Sequence, residues 1–500
     1  MWYFSLTGLP VSRTVGRLEP HRTQCKARAF ASLFEIRLFD KIRQLPPEAA
    51  DAALYFGSCV FALLTFTISR IPLYRWWGEM AVLPYLLASL ASAWTIFHPP
   101  RRRSASRIII ASIVFLAAVL LPLLAQIVDQ AGSLSTIAHA QPEVLVIEAA
   151  GSRLVKGKAL YPVISAARAG AGIASSVPAT NAFFPYLPGM ALFGIVSALV
   201  RTPAALGDPR LGFLLITLVA TGLALAWRPK TQRSPMLAFQ AMAVLPTAAL
   251  PLVTGGDDIP VVALMALGIV LLARQRWGWS GMVLGMAAVL KFTAWPLVII
   301  ASMVLTMRNG WRAGLKLAFP ALTIMVWTLG GQIVHNLSAL VNNVIKFPAG
   351  LASLGSPAAS PLPGHILAGI WKGYPKIAFG LGIAVGIATV IWIIYRTPRV
   401  HTGASWISAL VLFIAILIAP ATRVGYLLYP IDLAAWSWVL TTTGEFSMPF
   451  YREKIPWSVN HLRITYSKSV ASLLGRSESR VTRSGAVTRS IARSPDPSGD

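Results

Sequence analysis

From about residue 53 to residue 440 the chain alternates long apolar stretches with short polar runs. The first three stretches, 53–69, 78–97 and 108–128, are each long enough to cross the roughly 30 Å hydrocarbon layer of a bilayer. After a polar interval at 129–183, further stretches follow at 184–200, 211–227, 236–253, 259–273, 280–306, 315–334, 377–395, 404–420 and 424–440. A second interval, 335–376, is rich in Pro, Gly and Ser. Lys291 and Pro296 interrupt the 280–306 stretch, which predicts a kinked span or a pair of half-spans. The pattern as a whole predicts an all-α polytopic membrane protein of about 11–13 transmembrane or re-entrant helices with two outer loops.

Composition removes the competing classes. Hydrophobic residues make up 55% of the 500-residue chain and charged residues 12%, with a mean hydropathy of +0.64. A soluble domain carries about 25% charge, so the polar surface here is too small to cover a globule in water. Disorder is excluded on the same ground. Cys25 and Cys59 suggest neither a disulfide framework nor a metal site.

The net charge of +26, from 44 Lys and Arg against 18 Asp and Glu, does not point to nucleic acid. The basic residues fall in short runs between apolar stretches and in both tails, as the positive-inside rule predicts. Three regions follow: a basic cytoplasmic extension at 1–50 (or, in part, sequence upstream of the true start), a transmembrane domain at 51–440, and a basic cytoplasmic tail at 441–500. The expected location is the plasma membrane, with both termini cytoplasmic and the intervals 129–183 and 335–376 on the outer face. Counting 184–200 and 211–227 as two full spans would put Arg228, Lys230 and Arg233 outside, so one element there is expected to be short or re-entrant. No internal repeat is evident.

Charged groups at membrane depth or at its rim are costly, and each is therefore a functional candidate. The first outer interval carries His139, Gln141-Pro142-Glu143 and Glu148. Glu143 follows a proline at the start of an amphipathic helix, where a carboxylate can act as general base or simply complement the macrodipole. Thr254-Gly255-Gly256-Asp257-Asp258 reads as a tight turn whose acids bind a cation, bind substrate hydroxyls, or cap the next helix. Lys291 and Arg423 are cations suited to an anionic headgroup, with snorkelling or interfacial anchoring as the alternatives. His365, on the second outer interval, is a loop histidine of either solvated or substrate-facing character. No phosphate-binding glycine loop and no Cys/His metal spacing is present, so no metal is assigned.

Taken in order, these motifs resemble the polyprenol-phosphate-sugar-dependent integral-membrane glycosyltransferases of the C-type fold, in particular glycosyltransferase family 87 and its actinobacterial mannosyltransferase-like members. Glu143 stands where the family more often has Asp, ahead of Gly157 and Leu160-Tyr161. Phe184-Pro185-Tyr186-Leu187-Pro188 matches an aromatic-Pro-x-x-Pro stretch, Gly256-Asp257-Asp258 a Gly-Asp-Asp turn, and Gly281 through Lys291 a small-residue helix ending in Lys. The resemblance spans roughly residues 110–440. It implies transfer of a sugar, mannose or alternatively arabinose, from a polyprenyl monophosphate donor to a glycan or glycolipid hydroxyl at the outer face. No cofactor is implied beyond that lipid-linked donor, and the partners are the donor, the acceptor and membrane lipids. Within it Glu143 is the candidate catalytic base with Glu148 in reserve. Lys291 and Arg423 would face the phosphate, and Asp257, Asp258, Tyr186, His139 and His365 would bind substrate. The alternative from another class is a secondary transporter or lipid flippase, which would gather its ionisable residues near the midplane rather than at one face.

Overall fold

The computed structural model describes residues 46–132, 140–163, 183–200, 203–230, 234–352, 354, 356, 358–398 and 400–441. The chain divides into two compact units, Met1–Ser447 and Met448–Asp500, and every described residue belongs to the first. The basic extension up to residue 45 and nearly all of the tail from 441 lie outside the described residues, as do His139 and Cys25.

Among the described residues the regular structure is helical, without β-strands. α1 (Pro47–Ile68) and α2 (Pro72–Phe97) form an antiparallel pair joined by a three-residue turn, each opened by a proline at its first helical position. α3 (Arg103–Gln130) crosses with one π-helical turn at Leu116–Leu120. α4 (Pro142–Val155) is the helix expected from Gln141-Pro142-Glu143. It packs on α5 (Ala191–Leu199), and the two backbones touch where glycines meet: a Cβ on Gly151 would stand 2.0 Å from the Gly194 carbonyl carbon. α6 (Pro209–Trp227) and α7 (Met236–Thr254) follow.

α8 (Ile259–Ala273) is apolar on all sides and almost wholly buried, packed by α6, by α9 (Trp277–Leu290) and by α15 (Leu428–Leu440). α10 (Trp295–Asn309), α11 (Trp311–Lys346), α12 (Pro363–Ile370), α13 (Tyr374–Tyr395) and α14 (Gly403–Ile418) complete the bundle.

Eight helices are long and apolar enough to cross a membrane, and five shorter apolar helices accompany them among the described residues. The outward surface agrees: Leu83, Leu87, Leu90 and Trp94 on α2 are each more than half exposed, an apolar stripe that water would not tolerate at this extent but lipid does. The protein is an all-α polytopic membrane protein.

Three sequence expectations take definite form. The 280–306 stretch is two helices, α9 and α10, broken at Lys291, whose backbone is extended (φ −144°, ψ 145°). The stretch at 184–200 yields only the short apolar helix Pro188–Leu199, too short to cross, which accommodates the basic run at Arg228 and Lys230. α11 continues to Lys346, twelve residues into the interval read as loop, by kinking at Asn336 (φ −162°, ψ 81°).

Candidate functional site

The site forms where four chain segments meet: the start of α4, the turn between α7 and α8, the break between α9 and α10, and the segment leading into α15. Gln141, the residue before α4, fastens the first to the second. Its backbone N–H donates to the Thr254 carbonyl at 2.8 Å, and its side-chain amide donates to Thr254 Oγ1 at 2.7 Å and to the Tyr74 hydroxyl at 3.0 Å. Gly255 ends α7 with φ +97°, a left-handed conformation that disfavours other residues, and a Cβ there would stand 2.3 Å from Val144 Cγ2. The turn is thereby pressed against the first turn of α4, bringing Asp257 and Asp258 towards Glu143.

Lys291 closes the other side. Its ammonium donates to Asp257 Oδ1 at 2.7 Å and to Asp258 Oδ1 at 2.6 Å, spending two of its three donors. Tyr429, on α15, donates its hydroxyl to the same Asp258 oxygen at 2.6 Å. The Lys291 ammonium also lies 5.0 Å from the centre of the Tyr186 ring, a cation–π contact. Tyr186 is held in turn by its neighbours: Tyr161 donates to the Tyr186 carbonyl at 2.9 Å, Leu187 N–H to the Leu290 carbonyl at 3.1 Å, and Phe184 N–H to Asn343 Oδ1 at 2.8 Å. The aromatic-proline stretch is therefore strapped to the end of α9, next to Lys291.

Arg423 forms an ion pair with Glu143 Oε1. The other carboxylate oxygen, Oε2, is buried without a hydrogen-bond partner, as is Oδ2 of Asp257. Tyr426 lies within electrostatic reach of Lys291, Asp258, Arg423 and Glu143, and Tyr74 within reach of Arg423 and Glu143. One site thus unites three acids, two cations and a tyrosine lining. Burial raises the Asp257 carboxyl to about 6 against the pull of Lys291. Among the described residues no group of three or more His, Cys, Asp or Glu side chains is placed to hold a metal ion.

Residues 183–420 match the family model of glycosyltransferase family 87. The match supports a glycosyltransferase carried on a multi-pass helical membrane protein. No curated protein and no solved structure matches the chain. The matched segment contains Tyr186, Asp257, Asp258, Lys291 and His365, whereas Glu143, Glu148 and Arg423 lie outside it. The fold therefore draws the candidate base and one of the two cations into the site from beyond the matched segment.

The structure brings together Glu143, Arg423, Asp257, Asp258, Lys291 and Tyr186. It places the other two described candidates elsewhere. His365 donates from Nδ1 to the Pro420 carbonyl at 2.9 Å and so braces the segment that carries Arg423. Glu148 borders a separate cavity with Asp208, because five helical residues turn it about 140° away from Glu143. Sequence reading missed Tyr74, Tyr426 and Tyr429. The only signal for the last two was their place in Tyr426-Leu427-Leu428-Tyr429, which reads equally as an interfacial belt.

Proposed function

We propose that this glycosyltransferase moves a hexose, mannose by resemblance, from a polyprenyl monophosphate to a hydroxyl of an envelope glycan or glycolipid at the outer face of the plasma membrane. The observation that carries the proposal is the state of Glu143. One oxygen is held by Arg423, which fixes the carboxylate's orientation, and the other is buried without a partner, available to accept a proton.

The reaction is a single displacement. The acceptor hydroxyl attacks the anomeric carbon while its proton passes to Glu143 Oε2. The anomeric carbon–oxygen bond breaks, and its electron pair leaves with the polyprenyl phosphate. The developing negative charge needs fixed cations. Arg423, with its side chain 28% exposed, is the more open of the two against 10% for Lys291, and its planar fork suits a phosphate. Lys291 keeps one donor beyond those given to Asp257 and Asp258. Asp257 Oδ2 is available to a sugar hydroxyl. One displacement inverts the anomeric centre, so product and donor differ in anomeric configuration.

The distribution of ionisable residues favours this over transport. The candidate site gathers at the Thr254 end of α7. The opposite end meets a different polar group, in which Arg107 donates to Asp51 at 2.9 Å and Gln240 to Asp51 at 3.0 Å and to Tyr55 at 3.1 Å. That second group is tied to helix starts, whereas a transporter would hold such residues near the midplane. Incubating the full-length protein with radiolabelled polyprenyl-phosphate mannose and candidate acceptors, beside Glu143→Gln, tests the proposal.

A further inference from the structure

A cavity of about 730 Å³ opens on the face of α4 turned away from Glu143, between α3, α4, α5 and the start of α6. This volume falls within the roughly 300–1,000 Å³ range of small-ligand sites. Its polar wall is built on Arg210, which is wholly buried. The guanidinium grips Asp208 in a fork, Nε to Oδ1 at 3.0 Å and a terminal nitrogen to Oδ2 at 2.7 Å, and donates to Gln130 Oε1 at 2.7 Å. Asp208 also caps α6 by accepting the Arg210 backbone N–H at 2.8 Å. Two cavity-lining groups are thus fixed by one buried cation, which is how a preorganised site is made.

The remaining wall decides the class of ligand. Glu148 offers acceptors; Ser152 and Lys156 offer donors; Ile127, Leu145 and Val200 supply apolar surface between them, while Asp208 is held by Arg210 and the Ser197 hydroxyl donates to the Gly194 carbonyl at 2.9 Å. A lipid chain would want an apolar wall throughout, and an ion would want one sign of charge. Here both signs are present, with Arg210 already balancing Asp208. Closely spaced donors and acceptors around apolar patches suit a neutral molecule that carries many hydroxyls on an apolar ring. Burial, with the nearby charge of Asp208, raises the Glu148 carboxyl to about 7. At neutral pH it therefore both donates and accepts, as sugar hydroxyls require.

We propose that this cavity is a carbohydrate-binding site separate from the Glu143 site, and that it holds a sugar of the acceptor glycan at a distance from the reacting hydroxyl. The second clause rests on the proposed transfer reaction; the first does not. Glu143 and Glu148 lie about 7.5 Å apart along the helix axis and on different faces. A single sugar ring does not cover that path, so the acceptor would be an oligosaccharide.

The test uses the full-length protein in phospholipid nanodiscs, which keeps sugar-headed detergents out. Binding of mannotriose and arabinotriose is measured by saturation-transfer NMR and calorimetry on the parent, Ala149→Trp, Glu148→Leu and Glu143→Gln. Ala149 is an exposed residue on the cavity wall, so Ala149→Trp narrows the cavity without disturbing the core. At least one trisaccharide is expected to bind the parent and Glu143→Gln equally, and both cavity variants at least tenfold more weakly. Transfer to the bound trisaccharide should fall at least tenfold in Ala149→Trp, while transfer to a monosaccharide glycoside holds. Failure of the parent to bind either trisaccharide, or unchanged binding in both cavity variants, overturns the site. If binding is as expected but Ala149→Trp transfers to the trisaccharide at the parent rate, the acceptor role falls and the sugar site stands. If Glu143→Gln transfers at the parent rate, the proposed reaction fails and only the binding site survives.

Discussion

Arg423 holds one carboxylate oxygen of Glu143 and leaves the other buried without a partner. The pair links the first turn of α4 to the segment before α15, so the candidate base is oriented by a residue from the far end of the bundle. Replacing Arg423 by alanine removes both the orientation and the most open cation of the site. We expect kcat/KM for transfer to fall by about 10²–10³, the scale for losing one charge-stabilising donor. Arg423→Lys should recover part of the loss, since the charge returns without the planar fork. Steady-state transfer kinetics on the three proteins check this.

Lys291 gives a stability prediction. It is shared between Asp257 and Asp258 inside a buried site. Lys291→Met leaves two acids without their cation, and breaking a buried ion pair from one side costs about 3–5 kcal/mol. The variant should melt at a markedly lower temperature or fail to accumulate. Tyr429→Phe removes only one donor to Asp258; its cost should be about 1 kcal/mol, with a measurable drop in transfer rate because Lys291 is less firmly placed. Thermal unfolding in nanodiscs separates the two.

Much of this arrangement was legible in the sequence because it rests on local signals. Pro142 ahead of Glu143 marks a helix start, and Lys291 with Pro296 marks the break that became two helices. Charge parity along the chain required one short element between 184 and 227, and the structure makes it Pro188–Leu199. Relationships between distant segments were not legible: no spacing rule joins Glu143 to Arg423, or Tyr429 to Asp258. Loop-like composition hid the extension of α11, because a single kink at Asn336 lets the helix run on through polar residues. The Arg210 group did leave a trace, since Asp208-Pro209 is a helix-start signature. What it could not reveal was that the next residue is buried against α3. Glu148 shows the role of helical phase: five residues from Glu143 in sequence, it serves another cavity.

The backbone crossing of α4 and α5 predicts a severe effect from small changes. A Cβ on Gly194 would stand 2.0 Å from the Ile147 carbonyl oxygen, and one on Gly151 meets the Gly194 backbone. Neither neighbour is a flexible side chain. Gly194→Val should therefore force the helices apart, at the upper end of the about 1–3 kcal/mol typical of overpacking, and lower both the melting temperature and transfer. Gly222→Val is the matched control, as its position is open.

Glu148 makes stability depend on pH with a definite sign. Its carboxyl is raised to about 7 by burial and by Asp208, with Arg210 pulling the other way. The folded protein therefore binds this proton more tightly than the unfolded chain does. The group costs nothing below the ordinary carboxylate range, and its penalty grows as pH rises towards and through about 7. Glu148→Gln, which cannot ionise, should melt above the parent at pH 8 and match it at about pH 4. Asp208 and Arg210 are present in both proteins and enter the difference through their action on Glu148.

The most direct measurement is the transfer rate of Glu143→Gln against the parent, using radiolabelled polyprenyl-phosphate mannose and an acceptor the parent glycosylates. The amide keeps the shape and a contact to Arg423 but cannot take the proton. A fall of about 10²–10⁴, the usual share of a general base, in protein that remains folded, is the predicted result. Transfer by Glu143→Gln at the parent rate would contradict the account.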